Sequence, residues 1–222
     1  MRKDDYRFAE AERLWEEKQF KQAMAIYHDL LKDETIPRMA RAIVSEYIGR
    51  LHIGIGEIDQ AEIFLTRAIE MNPDGVEHHV QLANCLCLAG RNEEAWQKIR
   101  QLYQRFPDHP AAVHYMGKML DERGEHPHGL ELMKKAIRMD PHNERFLANL
   151  SFTYMMHGNV GAAMVCSEQA MALNPDDEVV QFIHEVATEF EKQESEKSLK
   201  PQPSVRLPRA KPRRRSSKVP QL

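Results

Sequence analysis

The sequence predicts an all-α protein, built as an array of about five stacked helix–turn–helix hairpins, and three observations carry that prediction. A short phrase returns every 34 residues: AIEMNPD from Ala68, LYQRFPD from Leu102, AIRMDPH from Ala136 and AMALNPD from Ala170. Between the returns, apolar residues such as Ile58, Ala61, Leu65, Ala68 and Ile69 follow a helical spacing rather than the alternation of a strand. Glycine and proline recur at fixed slots where helices would have to end.

The phase divides the chain into units at about 4–37, 42–75, 76–109, 110–143 and 144–177, the first being the most degenerate. In the last four units a central glycine (Gly56, Gly90, Gly124, Gly158) is placed to take the left-handed conformation that ends one helix and turns the chain. Proline then follows the second helix (Pro73, Pro107, Pro141, Pro175), which it cannot continue. Two further slots hold only small residues in all five units: Ala11, Gly49, Ala83, Gly117 and Ser151, then Ala23, Ala61, Ala95, Gly129 and Ala163. Small residues let two antiparallel helices approach closely. One hairpin has too little core of its own, so neighbours must stack to hide its apolar face.

After Pro175 the segment DDEVVQFIHEVATEFEKQE opens with acids and places Val179, Phe182, Ile183, Val186 and Phe190 on one helical stripe. It is expected to form a capping helix over about 178–193, completing an array at 1–194. From 195 to 222 the composition changes. Five prolines and nine Lys/Arg against one acid leave too little apolar surface to offset ordering, so a disordered basic tail is expected there. The overall net charge of -3 conceals this split, because 1–194 carries 22 basic and 33 acidic residues.

Composition narrows the function classes. No apolar run approaches the ~20 residues needed to span a bilayer, and the charged start MRKDDYRFAEAERLWEEK lacks the apolar stretch of a secretory signal. Three cysteines (Cys85, Cys87, Cys166) form no disulfide framework, which favours a reduced, cytoplasmic setting. No nucleotide-binding glycine loop, HExxH or Gly-x-Ser-x-Gly is present, so no catalytic or cofactor-binding residues are expected and the chain reads as a non-enzyme. Cys85 and Cys87 point apart on one helix and read as packing residues. His78-His79 and His126-Pro127-His128 read as solvated or capping histidines rather than metal ligands, which must converge.

The repeated slots resemble those of the tetratricopeptide repeat family: a bulky residue, Leu-Gly, Tyr, Ala, Phe and Pro at fixed offsets. The last unit carries Leu147, Leu150-Ser151, Tyr154, Ala163 and Pro175, with Ser167 where Phe is usual. The unit at 42–75 carries Ile48-Gly49, Ala61, Leu65, Ala68 and Pro73, and the first keeps Ala11, Leu14, Ala23 and Tyr27. The resemblance implies a right-handed superhelix, no cofactor, and a protein or peptide partner bound in a concave groove lined by the first helix of each hairpin. Carried onto this sequence, the groove slots are Glu46, Arg50, Asn84, Leu88, His114, Lys118, Asp121, Arg145, Asn149, Phe152, Met155 and Met156. Phe152, Met155 and Met156 would form an apolar end, unless the capping helix covers them. The Lys/Asn/Arg clamp by which some family members hold a chaperone's C-terminal carboxylate is incomplete, since Val80 and Tyr115 stand at two of its slots.

The implied function is a scaffold or adaptor, or a chaperone-like holder of a partner segment. The alternative is a tether whose tail residues Arg209, Lys211, Arg213, Arg214, Arg215 and Lys218 bind nucleic acid or anionic membrane by charge while the repeats recruit a protein. Folding of the tail back onto the acidic body, and self-association of the array, both stay open.

Overall fold

The computed structural model describes residues 6–199 and consists there of eleven helices and no strands. Five hairpins follow one another: α1 (Tyr6–Glu16) with α2 (Phe20–Lys32), α3 (Arg38–Gly54) with α4 (Ile58–Met71), α5 (Val76–Leu88) with α6 (Asn92–Arg105), α7 (Pro110–Glu122) with α8 (His126–Met139), and α9 (Glu144–Met156) with α10 (Val160–Leu173). A last helix, α11 (Glu178–Leu199), closes the array.

The turn inside each hairpin is the same object repeated. Gly56, Gly90, Gly124 and Gly158 have φ between 70 and 87°, the left-handed region that glycine enters at little cost. The N–H that follows each glycine bonds the carbonyl five residues back: Glu57 to His52 and Arg91 to Leu86 at 2.8 Å, Glu125 to Leu120 and Asn159 to Tyr154 at 2.9 Å. This satisfies a carbonyl that the helix end would leave unpaired. The first hairpin closes identically, Gln19 to Leu14 at 2.8 Å, yet the left-handed residue is Lys18 at φ 58°. Lys18 occupies the glycine slot of the first unit, a substitution that costs on the order of 1 kcal/mol.

Close approach of the paired helices is tightest between α7 and α8, where both small slots are glycine. A Cβ on Gly117 would lie 2.7 Å from the Gly129 carbonyl oxygen, and one on Gly129 would lie 2.6 Å from that of Gly117. In α3 the slot is again glycine, where a Cβ on Gly49 would lie 2.7 Å from Leu65 Cγ; in the other slots alanine or serine suffices, and Ala11, Ala23, Ala61, Ala95, Ser151 and Ala163 are fully buried. Ser151 donates its hydroxyl to the Ala163 carbonyl at 2.8 Å, so its buried oxygen is satisfied. The core runs along the array as linked clusters, with Tyr27, Ile48, Leu65, Leu86, Ile99, Val113, Met133 and Val180 among its largest buried members.

The last helix departs from expectation twice. It runs to Leu199, past the boundary set at 194, because Glu, Lys and Gln dominate 189–197 and no proline intervenes before Pro201. Its buried stripe is Val180, Ile183 and Ala187, packed on Leu147, Ala148, Met155, Ala163 and Ala170. Val179, Phe182 and Phe190 from the expected stripe are exposed instead. Small Ala187 lets α11 settle against α9 and α10 as the first helix of a sixth hairpin would. Glu185 stands 34 residues after Ser151 and is exposed, since among the described residues no second helix packs there. The expected basic tail from residue 200 onward lies outside the described residues.

Two substitutions probe the turn and the crossing. Lys18→Gly should raise stability by about 0.5–1 kcal/mol in urea denaturation by relieving the left-handed strain. Gly117→Ala should lower it by about 1–3 kcal/mol, because backbone rather than a movable side chain blocks the methyl. A neutral Gly117→Ala would refute the tight crossing.

Candidate functional site

Curvature defines the inner face. Three pairs of odd neighbours pack together, α3 on α5, α5 on α7 and α9 on α11, whereas no two even helices pack to that extent among the described residues. The array therefore bends toward the odd helices, the first of each hairpin, and these line its concave side.

The bend brings the two ends together. Lys18 Nζ lies 2.8 Å from Glu178 Oε1, joining the first turn to the start of α11. Beside this contact lies a cleft of about 870 Å³. Trp15, Phe20, Arg50 and Leu51 form one wall, and Arg145, Asp177 and Val179 belong to the other. Arg50 is held over the rings of Trp15 and Tyr47, 5.4 and 5.3 Å from their centroids. A guanidinium over aromatic faces keeps its donors free for an anion while staying attracted to the rings. Arg145 pairs with Asp177 at 3.1 Å.

The groove residues expected from sequence separate into three groups. Arg50 and Arg145 line the same cleft, although they are far apart in the chain. Leu88, Phe152 and Met156 are exposed, while Asn84 and Asn149 are half-buried. Lys118 is half-buried and pairs with Glu122 at 3.1 Å. The remaining four serve the array itself. Glu46 is buried and bonds His78 Nδ1 at 2.5 Å. Met155 is buried beneath α11, so the capping helix covers it but leaves Phe152 and Met156 open. Asp121 faces His126 and His157. His114 is fully buried.

His114 stacks on Phe146 with ring centroids 4.3 Å apart, and its Nε2 lies 3.1 Å from the Asn149 amide nitrogen. Its other ring nitrogen has no hydrogen-bond partner among the described residues. Burial disfavours the charged imidazole and pushes its pKa down to about 3, with Lys118 adding to the effect. Burial also pushes the Cys85 and Cys87 thiols up, consistent with packing residues rather than nucleophiles. Sequence reasoning missed the cleft because its walls come from opposite ends of the chain. It missed Trp15 and Phe20 because the first unit is the most degenerate.

His114 gives the array an acid limit. The unfolded imidazole takes up a proton near pH 6.5 and the folded one does not, so stability present above that pH drains as pH falls toward about 3. The loss from this group should reach about 2 kcal/mol by pH 5, and His114→Phe should flatten that limb of the stability–pH curve. The methionines separate by burial: Met155→Ala should cost about 2–5 kcal/mol in denaturant unfolding, and Met156→Ala no more than about 0.5.

Known proteins share the repeat and the fold. The tetratricopeptide repeat family matches twice, over residues 48–74 and 64–97. Protein O-mannosyl-transferase Tmtc3 of Drosophila melanogaster is 24% identical over 134 residues, which is 60% of this chain and 14% of that protein. The chain thus spans a small part of that relative's length. Among solved structures, TTC0263, a thermophilic TPR protein of Thermus thermophilus, superposes with a TM-score of 0.67 at 13% identity, covering 82% of this chain and 97% of that one. The human IFIT1 dimer with m7Gppp-AAAA superposes at 0.62 with 18% identity, covering 82% and 44%. At such identities the superpositions speak to fold alone. The two matches within residues 48–97, the slots in phase with them and the shared solenoid fold support reading the chain as a tetratricopeptide repeat protein.

Proposed function

We propose that the chain is a non-enzymatic adaptor, acting in the cytoplasm, that holds a segment of a partner protein inside its superhelix. A tetratricopeptide solenoid supports an interaction scaffold, because stacking builds a long surface from short units. The observation that carries the finer reading is the cleft between the first turn and α11. Trp15, Phe20 and Val179 offer an apolar seat there, with Arg50 beside it and Glu16, Asp176, Asp177 and Glu178 along the same cleft. Such a seat suits an extended or helical segment bearing an apolar anchor next to a carboxylate. Leu88, Phe152 and Met156 extend the exposed apolar surface on the same set of odd helices. A chaperone-like role, shielding an apolar partner segment until it is needed, is one form of this reading.

A second reading rests on the nine Lys/Arg between 195 and 222. The tail would bind nucleic acid or anionic lipid by charge, and the repeats would recruit a protein to it.

Partner capture from host lysate distinguishes the two. Full-length protein and residues 1–199 serve as baits, each with and without Arg50→Glu, at low and high salt. The adaptor reading expects a protein retained by both lengths, resistant to salt and weakened at least about tenfold by Arg50→Glu. Nucleic acid or lipid retained only by the full chain, and released by salt, would move the binding to the tail.

A further inference from the structure

We infer that Asp121, His126 and His157 form a binding site for a divalent transition-metal ion of the Zn²⁺, Co²⁺ or Ni²⁺ class. Asp121 lies in the last turn of α7, His126 opens α8, and His157 caps the C-terminus of α9. Their ligand atoms all lie within 4.8 Å of one another. Asp121 Oδ1 is 3.0 Å from His126 Nδ1 and 2.8 Å from His157 Nε2, so one carboxylate oxygen faces two imidazole nitrogens. The two rings stand edge to face with centroids 4.3 Å apart.

A hydrogen-bonded turn explains part of this and no more. His126 is close to Asp121 in the chain, and a cap-like contact between them needs no ion. His157 comes from the next hairpin, 36 residues from Asp121, and reaches the same oxygen. Ligand atoms from two hairpins thus converge on one point, as the ligands of a single ion must. Metal bonds of about 2.0–2.1 Å in a tetrahedron set neighbouring ligand atoms about 3.3 Å apart, so the two Asp121–histidine spacings need open only slightly to admit an ion.

The donor set selects the ion. Two neutral imidazoles and a carboxylate suit borderline cations, whereas Ca²⁺ and Mg²⁺ prefer oxygen throughout. Three protein ligands leave a fourth position for water or for a donor from a partner. His126 has about half its side chain exposed and His157 about a quarter, which gives an ion a way in. Asp121 is only 13% exposed, which fixes the carboxylate against the turn. Because the ligands come from two hairpins, an ion would tie the α7–α8 turn to the end of α9.

The test uses the full-length untagged chain, stripped with chelator and titrated with Co²⁺ and Zn²⁺. Visible Co²⁺ absorption, calorimetry and the melting temperature are the readouts. The expected result is one equivalent bound with tetrahedral or five-coordinate Co²⁺ bands, displaced by Zn²⁺, together with a raised melting temperature. Asp121→Asn, His126→Ala and His157→Ala should each weaken binding at least tenfold, while His128→Ala, exposed and outside the cluster, should not. Circular dichroism of each variant checks that the helices persist, and His157→Gln provides a gentler substitution if one does not fold. Absence of binding up to about 0.1 mM metal would overturn the site. Binding that survives all three ligand substitutions would do the same by placing the ion elsewhere.

Discussion

Each hairpin exists because two helices can approach closely at one level. At α7 and α8 the contact is glycine on glycine, and in the other hairpins alanine or serine takes at least one side of it. A larger side chain there would hold the helices apart and open a gap through the layer beneath. That layer also supplies the surface on which the next hairpin stacks, so an error would pass to its neighbour. The left-handed turn contributes the second constraint. It reverses the chain within so few residues that the small slots must face each other. Crossing and turn together leave little else for the sequence to decide, which is why the helices tolerate such varied residues on their outer faces.

Most of the fold was legible because its causes are local and repeated. The glycine, the proline and the small slots each act within one unit, and four or five copies in phase remove the ambiguity of any one. Legibility fell where a unit had to be read alone. Lys18 fills a glycine slot, and only the recovered turn hydrogen bond reveals it as such. On α11 the apolar residues span too broad an arc for periodicity to select a face. Ala187, absent from the expected stripe, decided it by allowing close approach.

The site was less legible for a related reason. Groove slots carried over from a family locate a face of a helix, but not what each side chain meets. Glu46 was expected to greet a partner and instead hydrogen-bonds a buried histidine. His114 sits at a groove slot and is sealed inside the stack. Asp121, His126 and His157 belong to two units, and no pattern confined to one unit could have joined them. The cleft beside Arg50 depends on the summed rotation of every interface from the first hairpin to the last.

That summation gives the Lys18–Glu178 contact an unusual standing. Both partners are well exposed, so the pair contributes at most about 1 kcal/mol and is screened at ordinary ionic strength. It cannot be what fixes the distance between the ends. The distance is set by leverage instead: a slight tilt at any one hairpin interface swings everything beyond it through an arc that grows with the length of the arm. Residues in the middle of the chain therefore act on the mouth of the cleft as a hinge acts on the free edge of a door, without touching whatever passes through it.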